Sequence, residues 1–413
     1  MTALQHALRL RTFRSLRRHH NYRLFFAGQV VSLAGSWMQN VALAWLVLSV
    51  SGSPVAVGML VLLRFGPYAV LGLFAGSVVD RIDTRRLVIW TQAAAMATSV
   101  GLFAVAAYGS SALWPVYLLA ALGGVLLVLD APARQALTFE LVGPRELPNA
   151  VALNSTLLNG ARVLGPALAG LVIAWAGVAA CFAVNAVSFL AVLVALAMMR
   201  SDELHPVEKD AGVGLVAGTV DALRHVAGDP VLRGLLLVVS AVGLTGFNPN
   251  IVVPLLASDA LTLGPRSFGV LSAMLGLGAL AGALLAATAR RARLRAVVFG
   301  ALVLVAAQVA LGLVGSPSTA GAALLVAGFG FTVLAANTNA LLQLAAPPAM
   351  RGRVVSFYLF AAIGLAAGGS FLAGWLVEVG GVRLAFWVGA AAVLGSLAPL
   401  WRAAGNRASA IPV

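Results

Sequence analysis

The sequence predicts an all-α membrane protein, with twelve membrane-crossing helices arranged as two pseudo-symmetric bundles of six. Three observations predict it. The 413 residues are 61% hydrophobic and only 10% charged, with a mean hydropathy of +0.99, against roughly 45–50% apolar content in an ordinary soluble domain. Apolar stretches of about 20 residues, long enough to cross about 30 Å of hydrocarbon as helix, recur along the whole chain, and strand-like alternation is absent. The 27 Lys and Arg residues are also unevenly placed. With the amino terminus on the cytoplasmic side, 23 of the 27 fall on that side, Arg266 and Arg383 fall opposite, and Arg64 and Arg162 lie inside spans. This asymmetry follows the positive-inside rule and puts both termini in the cytoplasm.

The elements follow in order. Residues 1–23 form a basic tail whose run LRLRTFRSLRRHH precedes an apolar stretch too long for a cleaved signal core, so the first span is read as a retained anchor. The first bundle, 24–199, contains spans near 24–50, 55–79, 87–107, 112–131, 150–175 and 177–199. A polar linker, 200–230, then interrupts the chain; Leu215, Val216, Val220, Leu223 and Val226 recur in it at helical spacing, as in a short helix lying along the inner membrane surface. The second bundle, 231–402, has spans near 231–257, 267–289, 296–314, 319–345, 353–377 and 382–402, and 403–413 is a second cytoplasmic tail.

The two halves echo each other. A shift of 204 positions places GPALAGLVIAWAGV (165–178) on GSFLAGWLVEVGGV (369–382), pairing Gly165 with Gly369, Gly170 with Gly374 and Gly177 with Gly381. The same register pairs Gly124 with Gly328 and Pro144 with Pro348, which predicts a duplication. Two such halves around a shared cavity are a transporter architecture.

Other functions are excluded by what the chain lacks. No G-x-x-x-x-G-K-[ST] loop is present to cradle nucleotide phosphates, so the chain by itself is no ATP-driven pump. Cys181 is the only cysteine, all five histidines fall in the tail or the linker, and no nucleophile stands beside a base. The expectation is therefore no enzyme, no cofactor and no metal, with energy drawn from an ion gradient or the substrate's own gradient. The net charge of +14 would suggest nucleic acid for a soluble chain. Here the tail and the cluster RRARLR at 290–295 are expected to contact anionic lipid headgroups, and no nucleic acid partner is expected.

One stretch asks for more than an anchor. GSVVDRIDTRR (76–86) carries five charges in seven positions on the cytoplasmic side between spans 2 and 3. Positive-inside topology accounts for the arginines. It does not account for Asp80 at the edge of the hydrocarbon, where an unpaired carboxylate is costly but could face the amino-terminal end of another helix. Gly76, Asp80, Arg81, Arg85 and Arg86 resemble the G-x-x-x-D-R-x-G-x-R-R loop of the major facilitator superfamily, with Asp83 standing where a glycine is usual. RFGPYAVLGLFAGSVVDRIDTRRL, DAPARQALTFELV and NAVALNSTLLNGARVLGPALAGLV extend the resemblance over most of the first half, to the enterobactin-exporter and macrolide-efflux branch known as transmembrane secretion effectors. The resemblance implies that Asp80 closes a cytoplasmic gate against the end of span 11 and that Arg81 pairs with Asp130. It also implies that Gly165, Pro166 and Gly170 thin and bend span 5 for close packing.

Polar residues inside spans are the candidate substrate contacts. Arg64 and Arg162 sit at a depth where a charge costs several kcal/mol and usually marks a pathway or a partner. An anionic or catechol-like substrate could supply that partner; alternatively Arg64 snorkels outward and Arg162 bonds carbonyls or amides such as Asn159. Spans 1, 4, 7 and 10 line the cavity by resemblance, which selects Asn40, Asn248 and Asn337, with Trp37 placed to stack on an aromatic substrate. The expected function is a monomeric secondary exporter in a bacterial cytoplasmic membrane, moving a small amphipathic molecule such as a siderophore or drug by alternating access, with protons as the coupling ion. An importer, a lipid flippase and a non-transporting receptor or scaffold remain the other readings.

Overall fold

The computed structural model describes residues 13–79, 82–109, 112–205, 223–245, 253–257, 265–288, 292–346 and 351–405, and among them it is helical, with no strand. In chain order the helices are α1 (Arg14–Arg18), α2 (His20–Ser51), α3 (Pro54–Val79), α4 (Thr84–Ala107) and α5 (Trp114–Ala197), then α6 (Pro230–Leu244), α7 (Pro265–Thr288), α8 (Leu294–Gly312) and α9 (Pro317–Ala345). α10 (Arg351–Leu359) continues through a wider π turn, Phe360–Gly364, into α11 (Leu365–Gly405). Nine apolar spans among the described residues are long enough to cross a membrane.

The starts are written locally. Asp229 accepts hydrogen bonds from the amides of Val231 and Leu232 ahead of Pro230 at the first turn of α6, and Ser316 does the same for Thr319 ahead of Pro317 in α9. Asp83 caps α4 by accepting from the Arg86 amide at 2.8 Å. A glycine at that position would supply no such acceptor, so the departure from the superfamily pattern has a local use.

The 84 residues of α5 are three helices in succession, joined at two glycines with non-helical backbone. Gly143 (φ 66°, ψ 175°) and Gly177 (φ 80°, ψ 173°) break it into 114–142, 144–176 and 178–197, and Gly381 (φ 73°, ψ 170°) breaks α11 into 365–380 and 382–405. This backbone region is open almost only to glycine. Gly177 and Gly381 are a pair in the 204-residue register, so both halves turn back between their last two spans by one conformation at one place.

Contacts divide the chain into two compact units, Met1–Leu43 with Leu71–Ala211, and Ala44–Val70 with Gly212–Val413. Residues 44–70, which the sequence reading groups with 24–199, thus associate by contact with the second unit. The reason is a seam of small residues: Gly58 meets the backbone of Ser370 and Phe371, Gly374 meets Pro54, and Gly364 meets Ala69. At one end of that seam the Ser53 hydroxyl donates to Glu378 at 3.2 Å.

In the first unit a core of Tyr22, Phe25, Leu137, Leu141, Leu153 and Leu196 joins α2 to all three segments of α5. Gly165 lies so close to Trp37 and the Met38 amide that a β-carbon would not fit, and in the second unit Gly369 meets Gly243 and Leu244 of α6 in the same way. Small residues at such crossings let backbones approach where lipid gives helices no hydrophobic reason to associate.

Candidate functional site

The polar residues of the first unit gather around one acid. Asp130, in the 114–142 segment of α5, is 7% exposed. Its Oδ1 accepts from the Thr91 hydroxyl at 2.7 Å and from Gln92 Nε2 at 2.8 Å, both on α4. Its Oδ2 lies 2.5 Å from Nε of Arg134, one helical turn further on. A buried carboxylate keeps its charge only when so many donors replace its water.

Arg134 links this acid to α2. Its Nη1 donates to Gln29 Oε1. A guanidinium has no acceptor, so Gln29 must turn its oxygen toward Arg134 and its amide nitrogen away. That nitrogen is buried and has no hydrogen-bond partner, and the residue as a whole is 4% exposed.

Gln29 and Arg134 form one wall of a cavity of about 220 Å³. Phe25 and Leu33 of α2 and Leu157 and Leu158 of α5 supply its apolar lining. Gln135, Thr138 and Asn154 add to the polar side: the Thr138 hydroxyl donates to the Arg134 carbonyl at 2.8 Å, and Asn154 Nδ2 donates to Thr138 Oγ1 at 3.3 Å. The Tyr22 hydroxyl lies 3.1 Å from both the Ala150 carbonyl and Asn154 Oδ1. Apolar walls with a few convergent polar groups are the usual make-up of a small-molecule site.

The other sequence-selected residues are spread more widely. Arg85 turns its guanidinium onto the carbonyls of Leu196 (2.6 Å) and Met199 (3.3 Å), closing the end of α5. Arg86 is exposed and offers its amide to Asp83. Gly165 holds the crossing with Trp37, while Pro166 and Gly170 continue the same segment. Asn337, in the second unit, is buried and donates to Val333 of its own helix at 2.9 Å. Asn40 and Arg64 are half-buried, in the first and second unit respectively. Asp80, Arg81 and Asn248 lie outside the described residues, as do the side chains of Arg162 and Asn159 and most of the linker helix; Gly76 is placed only as part of α3.

Two further arrangements frame the site. Gln39 Oε1 accepts from Ser99 and from Asn185 Nδ2, each at 2.7 Å, in a buried knot joining α2, α4 and the last segment of α5. At the end of the unit near the amino terminus, Arg14 and Arg18 reach Glu146 at 2.8 and 3.2 Å, and the rings of His19 and His205 meet edge-on at 5.9 Å. Burial, then the neighbouring His205, pushes the His19 pKa below its ordinary value.

Gln29, Thr91, Gln92 and Arg134 are not among the residues the sequence reading selected. Arg134 reads as a loop cation beyond a span expected to end at 131, whereas the helix runs on to Val142. The available signal is the four-residue spacing of Asp130 and Arg134, which places them on one helix face.

Comparisons with known proteins bear on the family and the fold. The family described as transmembrane secretion effector matches residues 12–408. The staphyloferrin A transporter of Staphylococcus aureus is 25% identical over 62% of this chain, and the match spans 64% of that protein, less than two thirds of its length. The multidrug efflux pump Tap of Mycolicibacterium fortuitum is 28% identical over 86% of this chain and 88% of its own. Among solved structures, a D-xylose-proton symporter shares the fold at a TM-score of 0.71 and 15% identity, over 92% of this chain and 96% of that one.

Proposed function

Because this chain belongs to the transmembrane secretion effectors, a family of major facilitator superfamily transporters rather than enzymes, we propose that it exports a small amphipathic molecule, of the siderophore or drug type, across a bacterial cytoplasmic membrane by alternating access coupled to protons. The observation that carries the reading is the cavity of the first unit, where apolar side chains from α2 and α5 face Arg134, the half-buried partner of buried Asp130. An amphipathic molecule needs both surfaces. A helix crossing built only for stability needs neither the space nor the charges, since burying an ion pair is a weak source of stability.

The coupling proposal rests on Asp130. Protonation would remove the charge that holds Arg134 and free the guanidinium beside the cavity, so that proton and substrate address one pair of side chains. The gating proposal retains Asp80, Arg81, Arg85 and Arg86 at the cytoplasmic loop and Gly165, Pro166 and Gly170 in span 5. Substrate contact is proposed for Trp37, Asn40, Arg64, Arg162, Asn248 and Asn337. The relatives' names support outward movement, and the basic residues support cytoplasmic termini, with lipid headgroups as their partners and a monomer as the working unit.

The test is accumulation of a panel of drugs and siderophores in cells with and without the chain. Expression should lower retention of at least one compound, a protonophore should restore it, and Asp130→Asn, at equal membrane abundance, should abolish the difference. Net uptake of labelled compound would reverse the proposed direction. Retention unchanged across the panel would remove the export reading.

A further inference from the structure

Donors and acceptors around the cavity do not balance. On the acceptor side, Gln29 Oε1 is taken by Arg134, Asp130 Oδ1 by Thr91 and Gln92, Asp130 Oδ2 is paired in charge with Arg134, and Asn154 Oδ1 faces the Tyr22 hydroxyl; exposed Gln135 adds the one lining amide at the solvent side, and the unpartnered Gln92 Oε1 is not part of the lining. On the donor side, the Gln29 amide nitrogen is buried without a partner. Of the five guanidinium N–H groups of Arg134, one donates to Gln29, while Nε lies within ion-pair distance of Asp130 but makes no hydrogen bond. A buried donor left without an acceptor forfeits its bond to water and gains none in return, so the site is built to be completed by something that accepts. The guanidinium adds positive charge that a cationic guest would have to face.

We propose that this cavity recognises a carboxylate or phenolate oxygen carried on an apolar, aryl-sized body, with Gln29 and Arg134 binding the oxygen and Phe25, Leu33, Leu157 and Leu158 holding the body. The inference rests on the export reading and narrows it: the transported class is acceptor-rich or anionic rather than cationic. Size fits the assignment. About 220 Å³ is room for several waters at roughly 30 Å³ each, and hence for a compact aryl group.

The test is calorimetric binding to the purified full chain in lipid nanodiscs, with 1-naphthoate, 1-naphthamide and 1-naphthylmethylammonium as probes of one shape and three charges. Naphthoate should bind most tightly and the ammonium least. Gln29→Met removes the two N–H groups without adding charge and should weaken naphthoate about tenfold. Gln29→Glu keeps an oxygen for Arg134 but opposes the guest, and should weaken naphthoate further while improving the ammonium. The ammonium binding as tightly as naphthoate, naphthoate failing to bind the unmodified protein, or Gln29→Met binding it as well as the parent would each overturn the assignment. Should neither variant fold, the order of the three probes on the unmodified protein still decides. Binding also separates this inference from the export reading: Gln29-dependent binding with no efflux in cells removes the second alone, and efflux indifferent to Gln29→Met removes the first alone.

Discussion

A histidine at the membrane margin shows how much a single contact decides. His19 ends α1, where its ring meets His205 and lies near Arg18, Glu146 and Glu203. Burial and the His205 ring outweigh the two acids and lower its pKa from 6.5. The folded protein therefore binds fewer protons at this position than the unfolded chain does. The contribution to stability is present above the ordinary histidine range and is lost as pH falls through it. The unfolding temperature of the purified protein should drop between about pH 7.5 and about pH 5.5, and His19→Gln should flatten part of that slope. An identical slope in the variant would assign the acid sensitivity elsewhere. The sequence showed His19 and His205 only as residues of a tail and a linker, because what joins them is a return of the chain: the His205 amide bonds the Glu140 carbonyl at 2.8 Å. Arg134 and Gln29 stayed hidden for a related reason. Each alone reads as an ordinary polar residue near a span end, and only the crossing of α2 with α5 makes them a pair.

Elements were more legible, because breaks between helices follow backbone rules that one residue can announce. Gly177 and Gly381 were paired by repeat register alone, and both adopt positive φ with ψ near 170°. Nothing in the sequence around Gly143 distinguishes it; with a β-carbon it would press on the His205 ring, a contact no local pattern encodes. The conformation makes a prediction about stability. Alanine at 177 or 381 is forced into a region that costs about 1–3 kcal/mol, so each variant should unfold at lower temperature by a similar amount. Gly395 supplies the contrast, since it lies in the final segment of α11 with ordinary φ and no atom near its missing β-carbon. Gly395→Ala should be neutral or stabilise by up to about 1 kcal/mol. An added β-carbon meets no atom at any of the three positions, so equal changes at all three would mean that the positive-φ conformation carries no cost of its own. The close crossings at Gly165 and Gly369 were legible as positions, yet their partners emerged only with the fold.

For the molecule as a whole, orientation decides what direction of transport means, and it rests on the distribution of 27 cationic residues. A bias of Lys and Arg toward one set of short loops is what sets the expected orientation. Direction can be tested without knowing the substrate, since Cys181 is the one cysteine in the chain and is fully buried. With Cys181→Ala as background, a cysteine replacing exposed Arg383, at the turn after Gly381, is expected on the outer face. A cysteine replacing exposed Asp202, in the 3₁₀ turn Ser201–Glu203, is expected on the inner face. A membrane-impermeant maleimide applied to intact cells should label the first and not the second, and permeabilising the membrane should expose both. Labelling in the opposite order would invert the topology, and an accumulation difference measured in cells would then report movement through the cavity from the other side.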